Sequence, residues 1–427
     1  MARKMKDSGI EWIGVIPEGW RTINPKALFT QRKDKAQKGE RQLTSSQQYG
    51  ILYQDDYMEL TGSKVVTVEK DFDILKHVEA GDFVISMRSF QGGLEYSTKS
   101  GAISSAYVML VPNLELVYPR FYRWLLKSSV YIDALQRTTN MVRDGQAMRY
   151  SNFAQVRLFT LPLDEQKSRA DFLDLECSSI DKILFKTRSS IEEYKKLKHA
   201  VITQAVTKGV RGEREMKNSG NPWFGQIPTD WKLSRVGLHF SIILGKMLCN
   251  APLNDTYTLE PYYCAADVHF DGVADGERKK MWFSPIEKDL YRVSVGDLLV
   301  VEGGAGAGGS AIVENQDSYT YIQNSIMIVR SKGNADNRYL RYLLEFLVKQ
   351  GYIDVVCNKA TIPHFTKDKL SCVPFCLCGE QEEIADYLDA KCAKIDGLIA
   401  KKEQLIKELE SYKKSLIYEV VTGKREV

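Results

Sequence analysis

The stretch Asp164-Glu165-Gln166 through ADFLDLECSSIDKILFKTRSSIEEYKKLKHAVITQAV to Thr207 occurs a second time. It returns as Gly379-Glu380-Gln381 through ADYLDAKCAKIDGLIAKKEQLIKELESYKKSLIYEVV to Thr422. The copies align at a constant offset of 215: Gln166 with Gln381, Asp171 with Asp386, Leu173 with Leu388, Asp174 with Asp389, Cys177 with Cys392, Asp181 with Asp396. In the second copy Leu388, Cys392, Ile395, Ile399, Ile406, Leu409, Leu416 and Val420 fall on alternating steps of four and three, with Lys402 and Lys413 interrupting. That period of 3.5 is a coiled-coil seam. The first copy repeats it through Leu173, Cys177, Ile180, Leu184 and Ile191 to Tyr194, with Thr187 opposite Lys402, then drifts to Leu197, Val201 and Ala205. Proline is absent from both, and Gly397 is the only glycine inside either, so each predicts an unbroken helix of about 42 residues, ~60 Å long. A narrow seam is costly to leave in water, which predicts that the two helices bury it against each other.

The 427 residues allow two or three domains with real cores, and 44% hydrophobic and 27% charged residues are the proportions of an ordinary soluble protein. A net charge of +4 permits a nucleic-acid partner without arguing for one. The start, MARKMKDSGIEW, has no apolar signal core, and no run approaches a membrane span, so the expected location is the cytoplasm. Eight irregularly spaced cysteines predict free thiols. Of these, Cys372, Cys376 and Cys378 cluster, but without a second CxxC pair they predict buried strand residues sooner than a zinc site.

Internal duplication extends beyond the helices. Residues 5–20, MKDSGIEWIGVIPEGW, return at 216–231 as MKNSGNPWFGQIPTDW, offset by 211 and pairing Trp12 with Trp223 and Trp20 with Trp231. This aromatic-anchored segment predicts a clasp packed on the helices. Between clasp and helix, VVTV (65–68), DFVISM (82–87) and AYVMLV (106–111) predict strands, followed by a helix from Pro119; LLVV (298–301), YIQNSIMIVR (321–330) and a helix over 338–353 follow in the same order. The two globular segments therefore read as diverged copies of one α+β domain. Their loops share almost nothing, as expected if two copies of a binding domain read different ligands, although neutral drift would give the same picture.

Signs of catalysis fail on context. Gly304, Gly306 and Gly309 satisfy GxGxxG after an apolar strand, but the following residues are strand-like, so no helix N-terminus would face a phosphate; the stretch reads as a glycine-rich turn. An Asn/Asp-Pro-Pro-aromatic methyltransferase motif, a P-loop and HExxH are all missing, and five scattered histidines support no triad. The chain reads as non-catalytic.

With its duplicated clasp, two unlike α+β domains, and matched helices that begin at Glu-Gln and end at Val206-Thr207-Lys208-Gly209 and Val421-Thr422-Gly423-Lys424, the chain resembles a specificity subunit of a type I restriction-modification system. The usual LPPLxEQ lead-in stands here as Leu161-Pro162-Leu163-Asp164-Glu165-Gln166 and Cys376-Leu377-Cys378-Gly379-Glu380-Gln381. The resemblance implies an α+β fold with a pseudo-two-fold repeat: target-recognition domains at 1–163 and 211–378, separated by an antiparallel pair of long coiled-coil helices at 164–210 and 379–427. It implies double-stranded DNA as ligand, each domain reading one half of a split, asymmetric target. It also implies two modification subunits and restriction subunits as partners. The chain itself would hold no cofactor; S-adenosylmethionine, ATP and magnesium would belong to the partners, which carry out adenine-N6 methylation and ATP-dependent cleavage.

Base edges are read by bidentate Arg, Gln and Asn side chains, while phosphates position the protein. Candidates in the variable loops are Lys33, Lys35, Arg88, Gln91, Arg143, Gln146 and Arg149 in the first domain. In the second they are Lys246, Lys279, Lys280, Asn358, Lys359, Thr361 and His364. The helix-pair core is expected from Leu173, Ile180, Leu184, Ile191, Leu388, Ile395, Ile399, Ile406 and Leu409. Charges beside that seam, such as Lys186 and Lys407, would dock partner helices or merely solvate the coil. The competing reading is a two-domain protein-protein scaffold with no DNA specificity.

Overall fold

The computed structural model describes residues 3–68, 72–86, 92–138, 148–315, 319–357 and 363–427. They form two compact units, one made of Met1–Arg188 with Glu403–Val427 and the other of Ser189–Lys402. Among the described residues no helix is long and apolar enough to cross a membrane.

The first unit is built on a four-stranded antiparallel sheet. Its strands are β1 (Phe29–Arg32), β2 (Phe83–Ile85), β3 (Glu95–Tyr96) and β4 (Val108–Pro112), in the order β1-β4-β2-β3. All three residues of β2 are buried because the sheet is covered on both faces: Phe83 and Ile85 join the main core, while Val84 joins a smaller one with Met109. Helix α1 (Pro119–Leu125) packs Phe121 and Leu125 into the main core, and α2 (Leu163–Lys208) begins in this unit.

In the second unit the same topology returns. Strands β5 (Phe240–Leu244), β6 (Leu298–Val301), β7 (Ser310–Ile312) and β8 (Ile326–Ser331) stand in the order β5-β8-β6-β7, again antiparallel. The central strand β6 again feeds two cores, Leu298 and Val300 into one, Leu299 and Val301 into the other. Helices α3 (Asn337–Lys349) and α4 (Gln381–Val421) complete the correspondence.

The seam is visible in the burial of both long helices. On α2, Leu173, Cys177, Ile180, Leu184, Thr187 and Ile191 are buried at steps of four and three; on α4, Leu388, Cys392, Ile395, Leu416 and Val420 are buried, while Ile399, Ile406 and Leu409 are half-buried. Within the first unit Asp181 pairs with Lys413 at 2.6 Å and Arg188 with Glu410 at 2.6 Å. Within the second, Lys198 pairs with Asp396 at 2.7 Å and Arg211 with Glu383 at 2.8 Å. Lys402 also lies over the Tyr194 ring at 5.7 Å, and Arg211 lies just past the end of α2; in each unit the partner's number falls along α4 as it rises along α2, so the segments run antiparallel there.

Several expectations need correction. Leu197 does not continue the seam: it is exposed, and the 3.5 period carries on through Lys198, whose stem is buried and whose ammonium reaches Asp396. VVTV at 65–68 forms no strand. Val68 instead donates its N–H to Gln42 Oε1 at 2.9 Å and accepts from Gln42 Nε2 at 2.8 Å, so one amide replaces a ladder partner, and Val66 is exposed. The helix from Pro119 ends at Leu125 and resumes at Ser129–Arg137, and the one over 338–353 stops at Lys349, where Gly351 adopts φ 86°. Likewise 321–330 divides into Tyr321–Ile322 and Ile326–Ser331. Of the clustered cysteines, Cys376 is buried in strand Pro374–Leu377, but Cys372 is exposed; all eight cysteines are free.

Lys413 stands at a seam position, half-buried and held by Asp181, whose own side chain is 55% exposed. An ion pair so open to water contributes about 0–1 kcal/mol, whereas a buried leucine contributes about 1.5–3 kcal/mol. Lys413→Leu is therefore expected to raise the melting temperature of the first unit by a few degrees in a calorimetric scan; a lower melting temperature would show that the Asp181 pair outweighs apolar burial.

Candidate nucleic-acid interface and its frame

Both units hold their globular part to a long helix with the same set of bonds, and the Glu-Gln doublet explains its own repetition. The buried Trp20 of the first clasp donates its indole N–H to Glu165 at 3.1 Å, and Trp231 of the second donates to Glu380 at 2.9 Å. The neighbouring glutamine turns the other way. Gln166 accepts the Tyr118 N–H at 2.7 Å, and Gln381 accepts that of Asp336 at 3.0 Å, so each grips the residue leading into α1 or α3. One and two turns on, Arg120 reaches Asp171 and Asp174 at 2.9 Å, and Arg338 reaches Asp386 and Asp389 at 2.8 Å. Asp174 also accepts from the Trp124 indole, and Asp389 from the Tyr342 hydroxyl, each at 2.7 Å.

An arginine closes each clasp, and sequence reasoning missed both. Arg3 lies over the Trp20 ring and donates to Glu165 at 2.9 Å; Arg214 lies over Trp231 and forms an ion pair with Glu380 at 2.6 Å. The signal was present, since Arg3 and Arg214 keep the clasp offset of 211 just upstream of the repeated motif. The first unit adds Arg169, 2% exposed, which bonds Glu165 at 2.8 Å and donates to the Val420 carbonyl at 2.8 Å near the end of α4. Burial would raise the Glu165 carboxyl, but hydrogen bonds from Arg3, Arg169 and Trp20 outweigh it and hold the pKa at about 2.

On this frame the candidate readers are distributed unevenly. Lys33 and Lys35 are exposed just after β1. Arg149 is exposed at the start of a short helix, Tyr150–Gln155, its N–H bound to Asn152 at 3.1 Å. Lys279 and Lys280 are exposed and adjacent in strand Lys279–Phe283, so their side chains leave opposite faces. His364 is exposed beside Glu302, 3.5 Å away, and its backbone bridges to Gly303. The fold thus brings together His364 and the glycine-rich turn, which lies between β6 and β7 as expected and leads into no helix. Arg88, Gln91, Arg143, Gln146, Asn358, Lys359 and Thr361 lie outside the described residues.

Lys246 is a correction. Its side chain turns inward, donating to the Trp282 carbonyl at 2.8 Å and to Glu287 at 2.6 Å, with the Tyr257 and Phe283 rings 4.8 and 5.2 Å away. Lysine ammonium groups usually face solvent, yet here tertiary contacts satisfy the charge within the fold, so this side chain is not presented to a ligand.

Comparison with family models and with curated proteins yields no match. Solved structures do match over nearly the whole chain. One is a chain from a study of complex assembly and conformational transition of the type I R-M system, with TM-score 0.71 and 15% identity, covering 96% of this chain and 99% of that one. Another is the HsdS subunit from Thermoanaerobacter tengcongensis, with TM-score 0.54 and 15% identity, covering 96% and 98%. The chain has the HsdS fold. At 15% identity the likeness is one of backbone fold, with few side chains shared.

Proposed function

We propose that this chain is the DNA-specificity subunit of a type I restriction-modification complex and is itself non-catalytic. The observation that carries this reading is the end-to-end likeness to HsdS together with a duplicated frame that holds unlike loops. Target-recognition domains at 1–163 and 211–378 read one half-site each. The helices at 164–210 and 379–427 form an antiparallel coiled coil that keeps the domains apart and docks two modification subunits. Those subunits bring S-adenosylmethionine for adenine methylation, and restriction subunits bring ATP and magnesium for translocation and cleavage.

Selection from a randomised duplex library by the chain co-expressed with its modification subunit tests the reading. Enrichment of two short defined blocks around a fixed unread gap is expected; no enrichment from a stable, active complex would leave the scaffold reading in its place.

Lys279 and Lys280 give a finer test. Because they leave opposite strand faces, only one can meet a phosphate. One alanine variant is expected to flatten the salt dependence of binding by about 0.9 in log–log slope, weakening all sequences alike, while the other leaves it unchanged. Equal effects from both would remove this strand from the interface.

A further inference from the structure

We propose that the cleft between α1 and α2 in the first unit is a docking site for an aromatic-acidic segment of a partner protein, and that the second unit narrows its equivalent cleft with its own hairpin. The inference refines the docking part of the proposed function, rests on that part, and is independent of DNA reading.

In the first unit a cleft of about 620 Å³ lies between Arg123 and Trp124 of α1 and Asp174, Cys177, Asp181 and Phe185 of α2. In the second unit a cleft of about 380 Å³ is lined by the corresponding residues, Arg341 and Tyr342 of α3 with Asp389, Cys392 and Asp396 of α4. The repeat therefore contains the same surface twice, but among the described residues only the second is walled by an added segment. Phe270 and Asp271, at the turn between strands Val268–His269 and Gly272–Val273, line it.

The helix sequences complement this difference. Phe185 of the open cleft is 71% exposed, and its counterpart is Ala400; Lys182 corresponds to Gly397. Together with Trp124, Phe185 gives the open cleft an apolar lining. The charge of the open cleft is also unbalanced. Asp174 is neutralised by Arg120 and Arg123, and Asp181 by Lys413, whereas exposed Lys182 and Lys186, one helical turn apart, make no ion pair among the described residues. An occupant bearing an aromatic ring next to a carboxylate fits both deficits, and Phe270-Asp271 is that combination in the cleft already walled.

The test uses a fluorescein-labelled peptide of residues 266–275, ADVHFDGVAD, titrated with the full chain and read by anisotropy. One peptide is expected to bind. The double substitution Phe185→Ala with Lys186→Glu should weaken binding at least tenfold, as should alanines in place of Phe and Asp in the peptide. Phe270→Ala in the chain should open a second site. No binding, or equal binding by the wild type and the double variant, overturns the proposal; because both altered side chains are exposed, an unchanged melting temperature is the folding control. A chain that selects a split DNA motif yet ignores the peptide loses this inference alone.

Discussion

Glu165→Ala is expected to destabilise the first unit by about 3–5 kcal/mol, the cost of leaving a buried charge without its partner. That charge is Arg169, 2% exposed, whose guanidinium bonds Glu165 and the carbonyl of Val420. The substitution also removes the acceptor of the buried Trp20 indole and of Arg3, so clasp and helix lose their shared anchor. Thermal unfolding followed by tryptophan fluorescence reads the effect. The corresponding Glu380→Ala is expected to act on the second unit, through Trp231 and Arg214. Acid gives an independent check on sign. With its pKa held at about 2 against an ordinary 4.5, Glu165 contributes fully above pH 4.5 and loses its contribution as pH falls towards 2. Wild-type stability should thus fall across that window more steeply than that of Glu165→Ala. Parallel pH profiles would refute the role given to this carboxylate.

Four residues inserted after Arg188 should lengthen the unread gap of the DNA target. Helix α2 runs unbroken from Leu163 to Lys208, and the division of the chain into two compact units falls between Arg188 and Ser189. Four helical residues add ~6 Å, or about one to two base pairs at ~3.4 Å each. Four is also close to one 3.5-residue step of the seam, so Leu184 and Ile191 keep nearly the same face. Library selection with the insertion variant should return the same two blocks at a wider spacing. Unchanged spacing would mean that the helix does not set the gap, and loss of either block would mean that the insertion damages a reading domain.

Much of the frame was legible because it is written twice. Periodicity located the long helices and their seam, and the 211 and 215 offsets located clasp and helix starts, since a duplicated fold keeps residues that every copy needs. The readers were less legible. Lys246 follows the apolar run Ile242-Ile243-Leu244 and is sealed by Glu287 and two rings, while Lys279 follows the charged pair Glu277-Arg278 and is exposed. The partner that neutralises Lys246 lies 41 residues along the chain, so its pairing is not written locally.

The sequence by itself determined the repeated architecture, because a 3.5-residue period and alternating buried strands follow from backbone geometry alone. Only the tertiary structure decided what the repeated residues do. Glu165 grips the clasp tryptophan while Gln166 grips the lead-in to α1, and Asp174 latches that helix; Gln42 stands in for a missing strand, and Phe270 walls one of two equivalent clefts. Each of these depends on which distant atom lies within hydrogen-bonding or contact distance, and that is set by the packing of the whole unit.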